Sequence, residues 1–235
     1  MSAEQGYNPL RVTFFGDSIF VGQGVSIHSG WVTRIAEYLE GIAEKRNREV
    51  VVTNASVNGS TTRQALERMP YQIQSHGVDI LLVQFGLNDC NYWMTDGGLP
   101  RVSADGFAAN LTEIMDRGRK FGAKWILLNN NHPTTRDEDI FPETSKTFED
   151  SNREYNAVVR QIVSDAPDDV RFTDIEAAFE SIVGRDRKKL ADLLLPDGLH
   201  LSLRGHDVYF NAVVDTLEGC LMDLIHCGSP GDDRR

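Results

Sequence analysis

The stretch RVTFFGDSIFVGQG, residues 11–24, joins a strand-like run to a polar turn. Residues 12–15 are β-branched or aromatic, and such side chains pack well on a pleated sheet. Gly16, Asp17 and Ser18 follow, and these residue types favour tight turns and helix caps. Because apolar residues resume at once at 19–21, the stretch predicts a buried first strand that ends in a turn bearing a serine hydroxyl.

Short apolar runs alternate with longer amphipathic segments along the rest of the chain. Further strands are predicted at 49–53, 79–85, 124–129 and 170–173, and helices at 30–46, 61–75, 103–121, 145–165 and 203–224. Pro70 should kink or split the second helix. Strands alternating with helices predict an α/β fold with a parallel sheet covered on both faces. Because no repeat or low-complexity linker interrupts the pattern, we expect one domain over residues 1–228 and a mobile tail over 229–235.

The composition argues against several classes of protein. The 235 residues carry a formal net charge of −11 at pH 7. Broad nucleic-acid binding requires a basic patch, and none is visible, while the acidic balance disfavours binding to anionic membrane surfaces. The three cysteines, Cys90, Cys220 and Cys227, have neither the number of a disulfide framework nor the CxxC spacing of zinc sites.

The first 30 residues lack a basic segment followed by a long apolar run, and no stretch is long enough to span a bilayer. We therefore expect no signal peptide, no stable membrane association and a reducing, cytoplasmic setting. The oligomeric state stays open at this level.

Polar segments follow the predicted strands. They are Gly16-Asp17-Ser18, NASVNGSTT (54–62), GLNDC (86–90) and NNNHPTTR (129–136), and a later segment, LPDGLHLS (195–202), precedes the last helix. Ligands of open α/β sheets bind beyond the carboxyl ends of the strands. The sequence therefore predicts that these segments gather along one edge of the sheet.

Those segments contain the parts of a nucleophilic site. A serine hydroxyl such as that of Ser18 is a weak nucleophile until a base takes its proton. His200 is a candidate base, since imidazole titrates near neutral pH, and Asp197 can hold its other ring nitrogen. The backbone N–H groups of Ser18 and Gly59 and the side-chain amide of Asn88 can stabilise a developing oxyanion.

These residues, taken together, closely resemble the SGNH hydrolases, also called GDSL esterases and lipases. Ser18 in GDSIF matches the family's first block, Gly59 in NASVNGSTT the second, Asn88 in GLND the third, and Asp197 and His200 in DGLH the last. The resemblance implies a three-layer α/β/α sandwich around a mostly parallel, flavodoxin-like sheet of about five strands. It also implies ester hydrolysis through an acyl-enzyme, with no metal or other cofactor.

Two residues outside these blocks are candidates for substrate binding. Trp93 lies in the loop CNYWMTDGG, where it can form an acyl pocket or a face for a sugar ring, although core packing explains it equally well. His132 in NNNHPTTR can line the pocket, but turn chemistry explains this polar segment too.

The loops expected around the site are mostly polar, which favours short acyl groups, such as acetyl, on a carbohydrate or other small alcohol. The alternatives are a lysophospholipase or long-chain esterase, a thioesterase, and a non-catalytic ligand-binding module of the same fold. A nucleotide-binding α/β protein is disfavoured, because the chain lacks G-x-G-x-x-G and the Walker lysine motif.

Overall fold

A computed structural model describes residues 9–227, so the predicted tail at 229–235 lies outside the described residues. Five strands form one sheet: β1 (Leu10–Gly16), β2 (Val50–Asn54), β3 (Ile80–Gln84), β4 (Trp125–Asn129) and β5 (Val170–Thr173). Their order is β2-β1-β3-β4-β5 and every pairing is parallel. This is the flavodoxin-like order, and it confirms the expected fold class.

Eight α-helices cover the sheet within the described residues. They are α1 (Ser18–Val21), α2 (Trp31–Glu44), α3 (Thr62–Met69), α4 (Ala104–Lys120), α5 (Phe148–Ser164), α6 (Ile175–Val183), α7 (Arg187–Leu193) and α8 (Leu203–Cys227). Helix α4 packs against α3 and α5, and α8 packs against α2, α6 and α7. The sheet lies between these two groups of helices.

Burial explains why the strands read as apolar runs. Every residue of β3 is buried, as expected for a central strand covered on both faces, whereas the edge strand β2 leaves Val51 exposed. Beneath the carboxyl end of β1, Trp31 stacks on Tyr209 with ring centroids 4.4 Å apart and meets Phe20 edge-on at 4.9 Å. This aromatic cluster gives the first turn after β1 a rigid support.

The structure agrees with the expected split in the second helix but differs from the sequence expectations in two short helices. Helix α3 ends at Met69, and a π-helical turn covers Pro70–Gln74. Helices α6 and α7 were not predicted, because nine and seven residues give too few turns for a clear periodicity. Both begin after an aspartate cap, Asp174 and Asp186, a signal that the sequence did contain.

The register of β1 and β3 places the polar segments side by side. Gly16, the last residue of β1, pairs with Gln84 at the end of β3. A Cβ on Gly16 would lie 2.8 Å from the Gln84 carbonyl oxygen, so this close approach requires glycine. The segments that begin at Asp17 and Phe85 therefore leave the sheet next to each other.

Candidate active site

Ser18 lies at the carboxyl end of the central strand β1 and begins helix α1. Asp17 is the N-cap of this helix, and its Oδ1 accepts a hydrogen bond from the Ile19 N–H at 3.0 Å. The Ser18 side chain is directed toward His200 rather than toward a cap contact. The strand, the cap and the helical turn together fix the position of the hydroxyl.

His200 joins Ser18 to Asp197. His200 Nε2 lies 2.9 Å from Ser18 Oγ, and His200 Nδ1 lies 2.5 Å from Asp197 Oδ2. Both His200 and Ser18 are largely buried, with 8% and 6% of their surface exposed. The structure thus brings the three residues expected to form a triad into one hydrogen-bonded chain, although 182 positions separate Ser18 from His200.

The charge of Asp197 fixes the tautomer of His200. Burial raises the pKa of Asp197, but hydrogen bonds from the His200 ring and from the Leu199 and His200 N–H groups outweigh it, and the pKa falls to about 2. Asp197 is therefore ionised at neutral pH and can only accept. Nδ1 of a neutral His200 must then carry the proton, which leaves Nε2 free to accept the Ser18 hydroxyl proton.

The two other expected oxyanion donors lie on loops tied to the ends of β1 and β3. Asn88 donates from Nδ2 to Asp17 Oδ2 at 3.3 Å, and Asp17 directly precedes Ser18 in the sequence. The loop that carries Gly59 is attached by the Val57 N–H, which donates to the Gly16 carbonyl oxygen at 3.1 Å. Gly59 has a φ of +73°, and a Cβ added there would meet nothing within 4 Å, so this turn faces open space.

A pair of buried acids connects these loops. Asp89 accepts hydrogen bonds from the N–H and the hydroxyl of Thr62, which follows the Gly59 loop. Burial raises the pKa of Asp89 to about 6 and that of Asp17 to about 7, and the charge of Asp89 adds to the shift at Asp17. Asp17 caps the turn as expected, through the Ile19 N–H, and it also accepts a hydrogen bond from Asn88, which was not expected.

The two candidate substrate-binding residues differ in their placement. Trp93 is 52% exposed, and the Arg101 guanidinium lies over its ring at 4.3 Å. His132 is fully buried, and its Nε2 lies 2.7 Å from the Leu199 carbonyl oxygen. The structure therefore places Trp93 on the surface and His132 behind the loop that carries Asp197 and His200.

Two arginines near the site were missed by the sequence analysis. Arg136 donates from Nε to the Asp197 carbonyl oxygen at 2.9 Å, and Arg101 donates from Nη1 to the Gly59 carbonyl oxygen at 3.3 Å. Arg136 ends the NNNHPTTR segment and Arg101 lies outside all of the quoted segments, and in both cases the contact appears only with the fold. Among residues 9–227, no group of three or more His, Cys, Asp or Glu side chains is placed to hold a metal ion.

Comparison with known proteins identifies the family. Residues 14–208 match the model of the GDSL-like lipase/acylhydrolase family, which covers most of the chain. The chain belongs to this family. The SGNH resemblance is confirmed, and with it the expectation of an enzyme that hydrolyses carboxylic esters.

Three individual proteins are similar to this chain at modest sequence identity. An arylesterase of Vibrio mimicus is 26% identical over 148 residues, which cover 62% of this chain and 69% of the arylesterase. A lipoprotein of Bacillus subtilis is 35% identical over 86 residues, 37% of this chain and 34% of the lipoprotein. The acetylxylan esterase Axe2 from Geobacillus stearothermophilus superposes with a TM-score of 0.69 at 21% identity, covering 88% of this chain and 93% of Axe2, which shows a shared fold.

Proposed function

We propose that the protein is a serine esterase in which Ser18, His200 and Asp197 act as the catalytic triad. The observation that carries this proposal is the hydrogen-bonded chain from Ser18 Oγ through both ring nitrogens of His200 to Asp197. Ser18 Oγ attacks the ester carbonyl carbon while His200 Nε2 takes its proton. His200 then protonates the leaving alcohol, and Asp197 stabilises the imidazolium that forms in between.

The negative charge of the tetrahedral intermediate needs donors close to Ser18. We assign this role to the backbone N–H groups of Ser18 and Gly59 and to the side-chain amide of Asn88. Ser18 is the first residue of α1, and the N-terminal end of a helix favours negative charge. After the alcohol leaves, a water molecule activated by His200 attacks the acyl-enzyme and releases the acid.

The preferred substrates in this proposal are esters of short acyl groups, such as acetyl, on a carbohydrate or another small alcohol. The segments around the triad are rich in Asn, Thr, Ser, Asp and Gly, which suits a hydroxyl-rich alcohol better than a long lipid chain. Similarity to an arylesterase and a fold shared with an acetylxylan esterase also support an esterase that acts on small acyl groups. A lysophospholipase, a long-chain esterase or a thioesterase is the alternative.

Covalent labelling tests the nucleophile. A fluorophosphonate should attach once, at Ser18, and Ser18→Ala should abolish the label and lower p-nitrophenyl acetate hydrolysis by more than about 10³-fold. Ser181→Ala, which changes an exposed serine of α6, is the matched control and should leave both unchanged. Full activity in Ser18→Ala would disprove the mechanism, and a correctly folded wild type without label or activity would favour a binding module.

A series of acyl chains tests the substrate. We expect kcat/KM to be highest between acetyl and about hexanoyl p-nitrophenyl esters, because the segments around the triad are mostly polar and offer few large apolar side chains to cover a longer chain. Acetylated sugars and acyl thioesters complete the panel. A steady rise toward the palmitoyl ester would replace this proposal with the lipid esterase alternative.

The cytoplasm remains our proposal for where the protein acts. Between residues 9 and 227, no helix is both long and apolar enough to cross a membrane. The similarity to a lipoprotein makes a membrane-attached form the competing outcome. Fractionation of cells expressing the native gene distinguishes the two.

A further inference from the structure

A surface cavity of about 500 Å³ lies beside the candidate active site and is not explained by the mechanism above. We call it the Trp93 cavity. Its lining includes Arg63, Gln64, Trp93, Asp96, Leu99 and Arg101. Two large apolar side chains of this lining are exposed together, Trp93 at 52% and Leu99 at 67%, and contiguous exposed apolar surface marks ligand-binding sites.

Two contacts place the Trp93 cavity against the loops that carry the oxyanion donors. Arg101 donates to the carbonyl oxygen of Gly59 at 3.3 Å. On the same wall, Thr61 is the N-cap of α3, and the next residue, Thr62, binds Asp89 beside Asn88. These contacts place the cavity next to the Gly59 loop and to the residue that follows Asn88, the two segments that carry the expected oxyanion donors.

The net charge of the cavity lining is opposite in sign to the net charge of the whole chain. Its charged lining residues are Arg63, Arg101 and Asp96, in a protein of net charge −11. Neither arginine forms an ion pair with a carboxylate in the part of the chain that the structure describes. The Asp96 carboxylate already accepts a hydrogen bond from the Trp93 N–H at 3.2 Å. The charges of Asp89 and Asp96 act on Arg101 without an ion pair, and both guanidinium groups keep N–H donors for a negatively charged ligand.

The stacking of Arg101 on Trp93 holds the Arg101 guanidinium in an orientation that suits ligand binding. Its Cζ lies 4.3 Å from the ring centroid, so the face of the guanidinium is held against the indole. A stacked guanidinium keeps the N–H donors at its edge, and that edge matches the geometry of a carboxylate or phosphate. One edge donor contacts Gly59, and the remaining donors have no carboxylate partner among the described residues.

We propose that the Trp93 cavity binds the alcohol part of the ester substrate. This alcohol carries a flat ring and, on the ring, an anionic group, either a carboxylate or a phosphate. The ring packs against the exposed surface of Trp93 and Leu99, and the anion meets Arg101 and Arg63. This inference rests on the proposed esterase function, because it assigns a substrate class to the same site.

The test compares matched acetyl esters that differ in charge. The probes are methyl 3-acetoxybenzoate, which is neutral, 3-acetoxybenzoate and 3-acetoxyphenyl phosphate. The readout is the ratio of kcat/KM for each anionic ester to that for the neutral ester. We expect Arg101→Gln and Arg63→Gln each to lower this ratio about 10-fold relative to the wild type. Differences in leaving-group reactivity cancel in this comparison, as does a general loss of activity from the Arg101–Gly59 contact.

Arg204→Gln, which removes an exposed arginine of α8, is the control and should leave the ratio unchanged. The wild-type ratio should also fall as salt is raised from about 0.05 to 0.5 M, since screening weakens exposed charge pairs. The anion with the larger ratio identifies the carboxylate or the phosphate as the preferred group. Ratios that are the same in the wild type and in both cavity variants would overturn the inference.

The two proposals fail in different ways. If p-nitrophenyl acetate hydrolysis depends on Ser18 but the ratios do not depend on the arginines, the cavity inference alone is wrong. If no ester is hydrolysed, calorimetric binding of 3-hydroxybenzoate and 3-hydroxyphenyl phosphate still tests the cavity. Binding that weakens about 10-fold in Arg63→Gln would support the cavity without catalysis, and no difference between wild type and variant would reject it.

Discussion

Asp17 and Asn88 form a hydrogen bond that couples the nucleophile turn to the loop after β3. Asn88 Nδ2 donates to Asp17 Oδ2 at 3.3 Å, while Asp17 Oδ1 accepts from the Ile19 N–H at 3.0 Å. Because a carboxylate oxygen accepts this bond, it fixes the NH2 end of the Asn88 amide, rather than its oxygen, against the turn that carries Ser18. Asp17 is therefore a positioning residue for the proposed oxyanion donor.

Asp17→Asn should lower activity while it raises stability. An asparagine that keeps its oxygen on the Ile19 N–H directs its own NH2 group at Asn88, and two donors then face each other. We expect kcat to fall roughly 10- to 100-fold with little change in KM, a smaller loss than removal of the donor itself. Steady-state kinetics with p-nitrophenyl acetate measure this, and Asp223→Asn on the exposed side of α8 is the control.

The same variant has a pH signature in stability. Burial raises the pKa of Asp17 from 3.8 in an unperturbed aspartate to about 7. The folded state then holds a proton that the unfolded chain has lost, so this group reduces stability as the pH rises from about 4 to 7. Asp17→Asn lacks this loss, so its stability relative to the wild type should increase by up to about 4 kcal/mol between pH 4 and pH 8. Urea unfolding of both proteins at both pH values measures this change, and a stability difference that does not grow with pH would contradict the assignment.

Asn88→Ala removes the side-chain donor itself. Because the amide binds the developing oxyanion better than the ground-state carbonyl, kcat should fall by about 10²–10³ while KM changes little. Gln161→Ala, an exposed amide on α5, serves as control and should behave like the wild type. A rise in KM alone would show that Asn88 binds the substrate without stabilising the transition state.

The alternation of strands and helices and the gathering of the polar segments at one edge could be predicted because both depend on local sequence patterns. Apolar runs of the length of a strand alternate with amphipathic helices, and the carboxyl ends of parallel strands must meet at one edge. Ser18 and His200 come from opposite ends of the chain, yet the block pattern placed both in one site. The resemblance to a family supplied the pairing that local patterns do not contain.

Contacts between blocks could not be predicted, since they depend on which side chains the fold brings together. Asp17 was expected to cap a turn, and nothing local indicates that it also binds Asn88. Arg101 follows a proline in a loop without a motif, and its stacking on Trp93 appears with the folded loop. His132 was a candidate for the pocket wall, but the structure places its ring against the Leu199 carbonyl oxygen.

His132→Phe should weaken the loop that carries Asp197 and His200. The ring Nε2 lies 2.7 Å from the Leu199 carbonyl oxygen, and phenylalanine leaves that oxygen without its donor at a cost of about 1–3 kcal/mol. We expect a lower free energy of unfolding at pH 7.5 and a reduced kcat, because His200 loses part of its support. Unchanged values of both would show that the contact has no role.

The stability of this variant should depend on pH in a defined direction. Burial lowers the pKa of His132 from 6.5 to about 4. The unfolded chain therefore binds a proton that folded His132 does not, and the wild type loses stability as the pH falls from 6.5 to 4. His132→Phe lacks this loss, so its deficit relative to the wild type should shrink toward pH 4. A deficit that is constant from pH 7.5 to 4 would mean that His132 does not stay neutral in the folded protein.

Gly59→Ala and Gly205→Ala should separate catalysis from stability. Gly59 has a φ of +73° and free space around its Cβ position, so alanine there costs only backbone strain of about 1–2 kcal/mol. That strain displaces the proposed oxyanion N–H, so we expect a clear loss of kcat beside a small loss in the free energy of unfolding.

Gly205→Ala should have the opposite effect. A Cβ on Gly205 would lie 2.1 Å from the Leu193 carbonyl oxygen, so alanine must push α8 away from α7, at a cost of about 3 kcal/mol. Thermal unfolding and kcat per folded molecule should therefore rank the two variants in opposite order, with Gly205→Ala less stable and Gly59→Ala less active. If Gly59→Ala kept full kcat, the Gly59 N–H would not be part of the oxyanion site, and Ser18 and Asn88 would have to supply the donors alone.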